Sequence, residues 1–142
     1  ILQSLLKRKI WSVFQDILDY FKVNYSPNEF EVLGEKALPE GFVDIFVKLR
    51  HPVGNNKYLL VEVKTREAQR KDIEQLKGYI SEFGSEAMGG VIIAKNFSKS
   101  AFEVSNILPI KYNFEYIDES SEYSYKRLLD LLRLEVANKV GI

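Results

Sequence analysis

The chain predicts an α/β domain, a sheet flanked by helices, on three observations. Apolar residues recur at three- and four-residue steps from Leu2 to Phe21. Two apolar strand-like runs are joined by a turn-rich segment, and a continuously apolar run follows a second helical stripe.

Each element has its own signal. Leu2, Leu5, Leu6, Ile10, Val13, Phe14, Ile17, Leu18 and Phe21 predict one long helix ending near Lys22, and Ser26-Pro27-Asn28 breaks the chain after it. A short strand is expected from Phe30 to Leu33. The next two strands are Gly41 to Val47 and Tyr58 to Lys64, with His51-Pro52-Val53-Gly54-Asn55-Asn56 as a hairpin turn in which His51 is a turn residue. Ile73, Leu76, Ile80 and Phe83 mark the inner face of a second helix that Gly84 can terminate. Residues 90–95 read as a buried central strand. Ser98 or Ser100 caps a short helix to about Ile107, with Pro109 ending it, and Tyr112 to Ile117 alternates as a strand. Tyr125, Leu128, Leu129, Leu132 and Val136 stripe a final helix. The predicted order is αβββαβαβα. No repeat, low-complexity segment or linker divides it, so residues 1–142 read as a single domain.

Composition narrows the chemistry. At 142 residues and 46% hydrophobic, the chain can bury a sizeable core. Zero cysteines exclude disulfides, thiol nucleophiles and Cys-ligated zinc, and one histidine excludes a multi-histidine zinc site. No run approaches the roughly 18 apolar residues of a membrane span, and no signal segment opens the chain. A soluble intracellular protein, cytoplasmic or nucleoid-associated, is expected. Formal net charge is zero, with 20 basic and 20 acidic residues. Bulk electrostatics therefore announce no polyanion partner, but the basic residues cluster. Lys64, Arg66, Arg70, Lys71 and Lys77 outnumber Glu67, Asp72 and Glu74, Lys7-Arg8-Lys9 forms a second group, and Lys95 and Lys99 a third. These are either phosphate contacts or an ordinary solvated surface.

The candidate site lies on the hairpin. Asp44 and Glu62 interrupt apolar strands, where unpaired charge is costly to bury. Folding the hairpin near position 53 pairs residues whose numbers sum to about 106, which places Asp44 opposite Glu62 on one face, with Lys64 two residues on. Val43, Ile45, Val47, Leu59, Val61 and Val63 then face the core. Adjacent carboxylates repel unless one is protonated or both bind a cation, and their oxygens suit Mg²⁺ or Mn²⁺. The alternatives are a strand-end Asp44, a buried Glu62–Lys64 salt bridge and an ordinary strand-end lysine.

Asp44 with Glu62-Val63-Lys64 resembles the Asp…(Asp/Glu)-x-Lys signature of the PD-(D/E)xK nuclease superfamily, although Val43 stands where that family often has proline. Gln75-Leu76-Lys77-Gly78-Tyr79 resembles the Gln-x-x-x-Tyr motif of the RecB-like, type I restriction and NucS (EndoMS) branches. On a helix Gln75 and Tyr79 share a face, though a solvated Gln75 and a packing Tyr79 is the simpler reading. Similarity is greatest to NucS-like enzymes, through Gly41-Phe42-Val43-Asp44, Gly90-Val91-Ile92-Ile93-Ala94 and the Phe114 to Asp118 segment.

The resemblance implies a restriction-endonuclease-like αβββαβ core, a mixed central sheet flanked by helices, here with an added C-terminal helix. It implies Mg²⁺ (or Mn²⁺) held by Asp44, Glu62 and the carbonyl of Val63, with Lys64, Gln75 and Tyr79 completing the catalytic set. It implies DNA as partner, contacted by Arg66, Arg70, Lys71, Lys77 and Lys95, and endonucleolytic hydrolysis of phosphodiesters. One site per chain implies a dimer or successive nicks for a double-strand break, with Tyr123 to Val140 either a homodimer surface or a core-packed helix. A further acid is common in the family, but Asp16, Asp19, Glu31, Glu35 and Glu40 have no spacing that selects one. The competing reading is a catalytically inactive DNA-binding or scaffold module on the same fold.

Overall fold

The computed structural model describes residues 1–102, 106–115 and 122–137. Its frame is a six-stranded mixed sheet in the order β1-β4-β5-β6-β7-β8, with a separate two-stranded ribbon of β2 and β3. The strands are β1 (Phe30–Leu33), β2 (Lys36–Leu38), β3 (Gly41–Val43), β4 (Ile45–Leu49), β5 (Tyr58–Lys64), β6 (Ala87–Ala94), β7 (Ile107–Phe114) and β8 (Leu132–Val136). β4 and β5 form the antiparallel hairpin, whereas β5, β6 and β7 run parallel. Helix α3 (Arg70–Phe83) makes the crossover from β5 to β6.

The amphipathic N-terminal stripe folds as two helices, α1 (Leu2–Lys9) and α2 (Phe14–Phe21), rather than one. A 3₁₀ turn at Ile10–Val13 separates them and bends the stripe around the sheet. The expected end near Lys22 holds: this residue takes a left-handed conformation, φ 56°. Leu5, Leu6, Ile10, Phe14, Ile17 and Leu18 pack on one sheet face with Ile45, Val47, Leu59, Val61, Val91 and Ile93. Each such side chain contributes about 1.5–3 kcal/mol on burial.

The opposite face packs against α3. Phe46, Leu60 and Ile92 meet Ile73, Leu76, Tyr79 and Ile80. Gly90 permits the close seating, because a Cβ there would lie 2.8 Å from Ile80 Cδ1 and 2.9 Å from Leu76 Cδ2. Both faces of the hairpin are thus covered, so the face that carries Glu62 is also core. Val43 belongs to the α3 side, because the bend at Asp44 reverses the expected alternation.

Three expectations are corrected after β6. Ser98 precedes, and Ser100 lies within, a 3₁₀ turn at Lys99–Phe102, not a helix reaching Ile107, and Ile107 opens β7. Pro109 sits within β7 opposite Ile92, and its carbonyl accepts the N–H of Ala137 at 2.9 Å. The C-terminal helix stops early: α4 covers Tyr125–Leu131, and Leu132, Leu134 and Val136 continue as β8, antiparallel to β7. The alternation of Leu132-Arg133-Leu134-Glu135-Val136 satisfies a strand as well as a helix, and the otherwise open edge of β7 decides between them. Tyr116, Ile117 and Asp118 of the family-like last segment, and Lys139 and Val140, lie outside the described residues.

Candidate active site

The hairpin register is the one read from the turn: Ile45 pairs with Val61 and Phe46 with Leu60, each summing to 106. Pairing stops at Ile45, and Asp44 occupies a bend between β3 and β4. This bend frees the carboxylate from the ladder. Its Oδ2 accepts the main-chain N–H of Val63 at 2.8 Å, and its Oδ1 accepts the Gln3 amide at 3.1 Å. Each oxygen keeps a further lone pair.

Glu62 is 5% exposed, and its Oε1 is buried with no hydrogen-bond partner among the described residues. Burial, then the neighbouring Asp44 carboxylate, pushes the Glu62 carboxyl up to about 7, against the opposing pull of Lys64. Lys64 Nζ stands 3.9 Å from Glu62 Oε2 and 3.9 Å from Asp72 Oδ1, shared between two acids.

Asp72 is the residue that sequence reasoning missed. It is 5% exposed in the first turn of α3, where Oδ2 accepts the Gln69 N–H at 2.8 Å. Arg66 clamps it in a bidentate pair, both contacts 2.8 Å. Burial would raise its carboxyl, but Arg66, the Gln69 N–H and Lys64 outweigh burial and hold it below the ordinary value. The available signal was an acid at the third position of a helix, where it can bond back to the preceding N–H. Gln3 gave no such signal, since its contact spans forty-one positions.

The remaining predicted residues divide. Tyr79 is buried, 6% exposed, and burial, then Glu62, raises its hydroxyl, which hydrogen-bonds the main chain of Phe42. Gln75 is exposed one turn earlier on α3. Arg66, Arg70, Lys71, Lys77 and Lys95 are all exposed. Arg66, Gln69, Arg70 and Lys71 line a shallow hollow of about 600 Å³ at the start of α3, where Arg70 also pairs with Glu74 at 3.2 Å. The acids and Lys64 therefore gather where β5 ends and α3 begins, at the carboxyl end of parallel strands, a common position for ligand sites in α/β folds.

Residues 28–131 match the family model described as the endonuclease NucS C-terminal domain. The chain belongs to that family. The match includes β1 through α4 and all four site residues Asp44, Glu62, Lys64 and Asp72, while α1, α2 and Gln3 precede it. No curated protein matches the chain. Among solved structures it is similar to an EndoMS complex with double-stranded DNA, at 28% identity over 53% of this chain and 31% of that one, TM-score 0.41. A repair endonuclease from Pyrococcus abyssi is 19% identical over 70% and 43%, TM-score 0.44. EndoMS in its apo form is 20% identical over 63% and 38%, TM-score 0.37. The chain thus spans less than half the length of each of these proteins.

Asp44 and Glu62 offer oxygen donors, the kind that Mg²⁺ and Mn²⁺ prefer, and the Asp44 carboxylate is near enough to Glu62 to raise its carboxyl. Among the described residues no group of three or more His, Cys, Asp or Glu side chains gathers closely enough to hold a metal ion, so main-chain or water oxygens would complete the shell. No helix among them is long and apolar enough to cross a membrane.

Proposed function

We propose that this chain is the cutting domain of a metal-dependent deoxyribonuclease of the PD-(D/E)xK type, with a restriction-endonuclease-like core, that hydrolyses phosphodiester bonds within DNA. The observation that carries the reading is the unpartnered, buried Oε1 of Glu62 beside Asp44, with the Lys64 ammonium 3.9 Å from the other oxygen. Membership of the NucS C-terminal domain family supports it.

Asp44, Glu62 and the Val63 carbonyl would hold Mg²⁺ or Mn²⁺. When bound, the ion supplies Lewis-acid polarisation of the phosphate and a more acidic water. Lys64, held between Glu62 and Asp72, neutralises charge that develops on the phosphate oxygens. Arg70, Lys71, Lys77 and Lys95 contact flanking phosphates, while Arg66 orders Asp72 and through it Lys64. Tyr79 and Gln75 border the site from α3. Residues 1–142 act as one domain, and a double-strand break requires two copies or two successive nicks.

A second reading, a DNA-binding or scaffold module without cleavage, draws on one observation: both Asp44 oxygens already accept protein hydrogen bonds. Cleavage of supercoiled plasmid with Mg²⁺, Mn²⁺ or EDTA decides between them. Metal-dependent cutting that Asp44→Ala abolishes upholds the nuclease. DNA binding without cutting, indifferent to metal and to Asp44→Ala, upholds the module.

A further inference from the structure

A groove of about 520 Å³ runs between α1 and the edge strand β1, lined by Lys7, Arg8, Trp11, Glu31, Val32 and Arg50. Three cations face one acid, and that acid is already paired, Glu31 with Lys48 at 3.1 Å. The groove is therefore net basic although the chain is neutral. On its wall Trp11 is 40% exposed, an unusual place for so large an aromatic, and its ring rests against the buried Phe14 at 4.8 Å between centroids. A supported, half-exposed indole among cations is a stacking platform for a nucleobase.

One wall of the groove is continuous along the chain with Gln3, which contacts the candidate site. Gln3 holds Asp44, and Lys7 and Trp11 follow at successive four-residue steps along the N-terminal helical segment. At about 1.5 Å per residue Lys7 lies about 6 Å beyond Gln3 on α1, and Trp11 follows in the 3₁₀ turn that succeeds it. Arg50 follows the far end of β4, whose five residues separate it from Asp44 and span about 16 Å at roughly 3.3 Å per residue. Its guanidinium is steadied by Nε donating to the Asn28 carbonyl at 3.2 Å. Lys7, Trp11 and Arg50 thus line one groove, two cations and an aromatic within reach of a short nucleotide segment.

We propose that the α1–β1 groove binds single-stranded DNA leading away from the carboxylates, with Trp11 stacking a base and Lys7 and Arg50 holding phosphates. This rests on the nuclease reading for its direction, not for its existence. An unpaired strand is favoured over a duplex because stacking on Trp11 needs a base with an open face. One wall of the groove, from Lys7, Arg8 and Trp11, precedes the family-matched residues 28–131, and the other, from Glu31, Val32 and Arg50, lies within them.

Trp11 is the only tryptophan, so its fluorescence reports the groove directly. A short oligodeoxythymidine titrated into the full chain in EDTA should quench it to saturation, with weaker quenching by a blunt duplex. By anisotropy of the labelled oligonucleotide, Trp11→Ala should weaken binding about tenfold and Trp11→Phe much less. Lys7→Ala and Arg50→Ala, both surface changes that spare the core, should each reduce the salt slope by about 0.7. Oligonucleotide binding without quenching, or unaffected by Trp11→Ala, overturns the groove. If plasmid cleavage is nevertheless metal-dependent and lost in Asp44→Ala, the nuclease reading stands without it. Quenching with no cleavage in any metal upholds the groove and overturns the nuclease.

Discussion

The carboxylate of Asp44 accepts the main-chain N–H of Val63 at 2.8 Å, across the open end of the β4–β5 hairpin. This bond replaces the ladder that stops at Ile45 and ties the first acid to the strand carrying the second. Asp44→Ala should therefore do two things. It should abolish metal-dependent cleavage, and it should cost about 1–3 kcal/mol by leaving the Val63 N–H unsatisfied. Asp44→Asn retains an acceptor, so urea denaturation should find it closer to the native stability while cleavage stays absent.

Glu62 makes stability depend on pH in an unusual direction. Its carboxyl titrates near 4.5 when unfolded and at about 7 when folded, because burial and Asp44 disfavour the charge. The folded state thus binds the extra proton between those values. Stability is greatest below about pH 4.5 as far as this group is concerned, and falls as pH rises through 7, by about 3 kcal/mol. Glu62→Gln should flatten that slope in urea melts at pH 5, 6, 7 and 8. Added Mg²⁺ should flatten it in the native protein alone, since a cation favours the ionised pair.

Asp72 has the opposite dependence. Its carboxyl is held below the ordinary value, so its contribution is present above about pH 4 and is lost as pH falls through the folded value. Asp72→Ala removes the bond to the Gln69 N–H and the partner of Arg66, and should destabilise by about 2 kcal/mol at pH 7. It should also slow cleavage more than binding, because Lys64 loses one of its two anchors. Single-turnover rates beside DNA affinities measure that split.

Gly41 and Tyr79 are coupled by contact. A Cβ at Gly41 would meet the Tyr79 hydroxyl at 2.3 Å and the ring carbon behind it at 3.2 Å. Gly41→Ala should cost about 2 kcal/mol, and adding Tyr79→Phe should recover part of that loss, because the nearest atom is gone. A double-mutant cycle by chemical denaturation should give a coupling of about 1 kcal/mol. A coupling near zero would separate Tyr79 from the β3 end.

The sequence by itself determined what local pattern can encode. The hairpin register, the span of α3 to Gly84, the buried β6 run and the family match all follow from the residues themselves, whereas the bend at Asp44 takes it out of the ladder position expected opposite Glu62. Tertiary structure decided what depends on distant partners. Leu132 to Val136 satisfies two periodicities, and only the free edge of β7 makes it a strand. The N-terminal stripe is continuous in sequence, but wrapping the sheet breaks it at Ile10–Val13. Asp72 looked like one more charge on a solvated helix until folding buried it against Arg66 and Lys64. Gln3 meets Asp44, and Trp11 shares a groove with Glu31 and Arg50, only because the N-terminal helical segment packs across the sheet. Side-chain periodicity records which face is buried, whereas the identity of the neighbour across a gap of forty residues is a property of the packed chain alone.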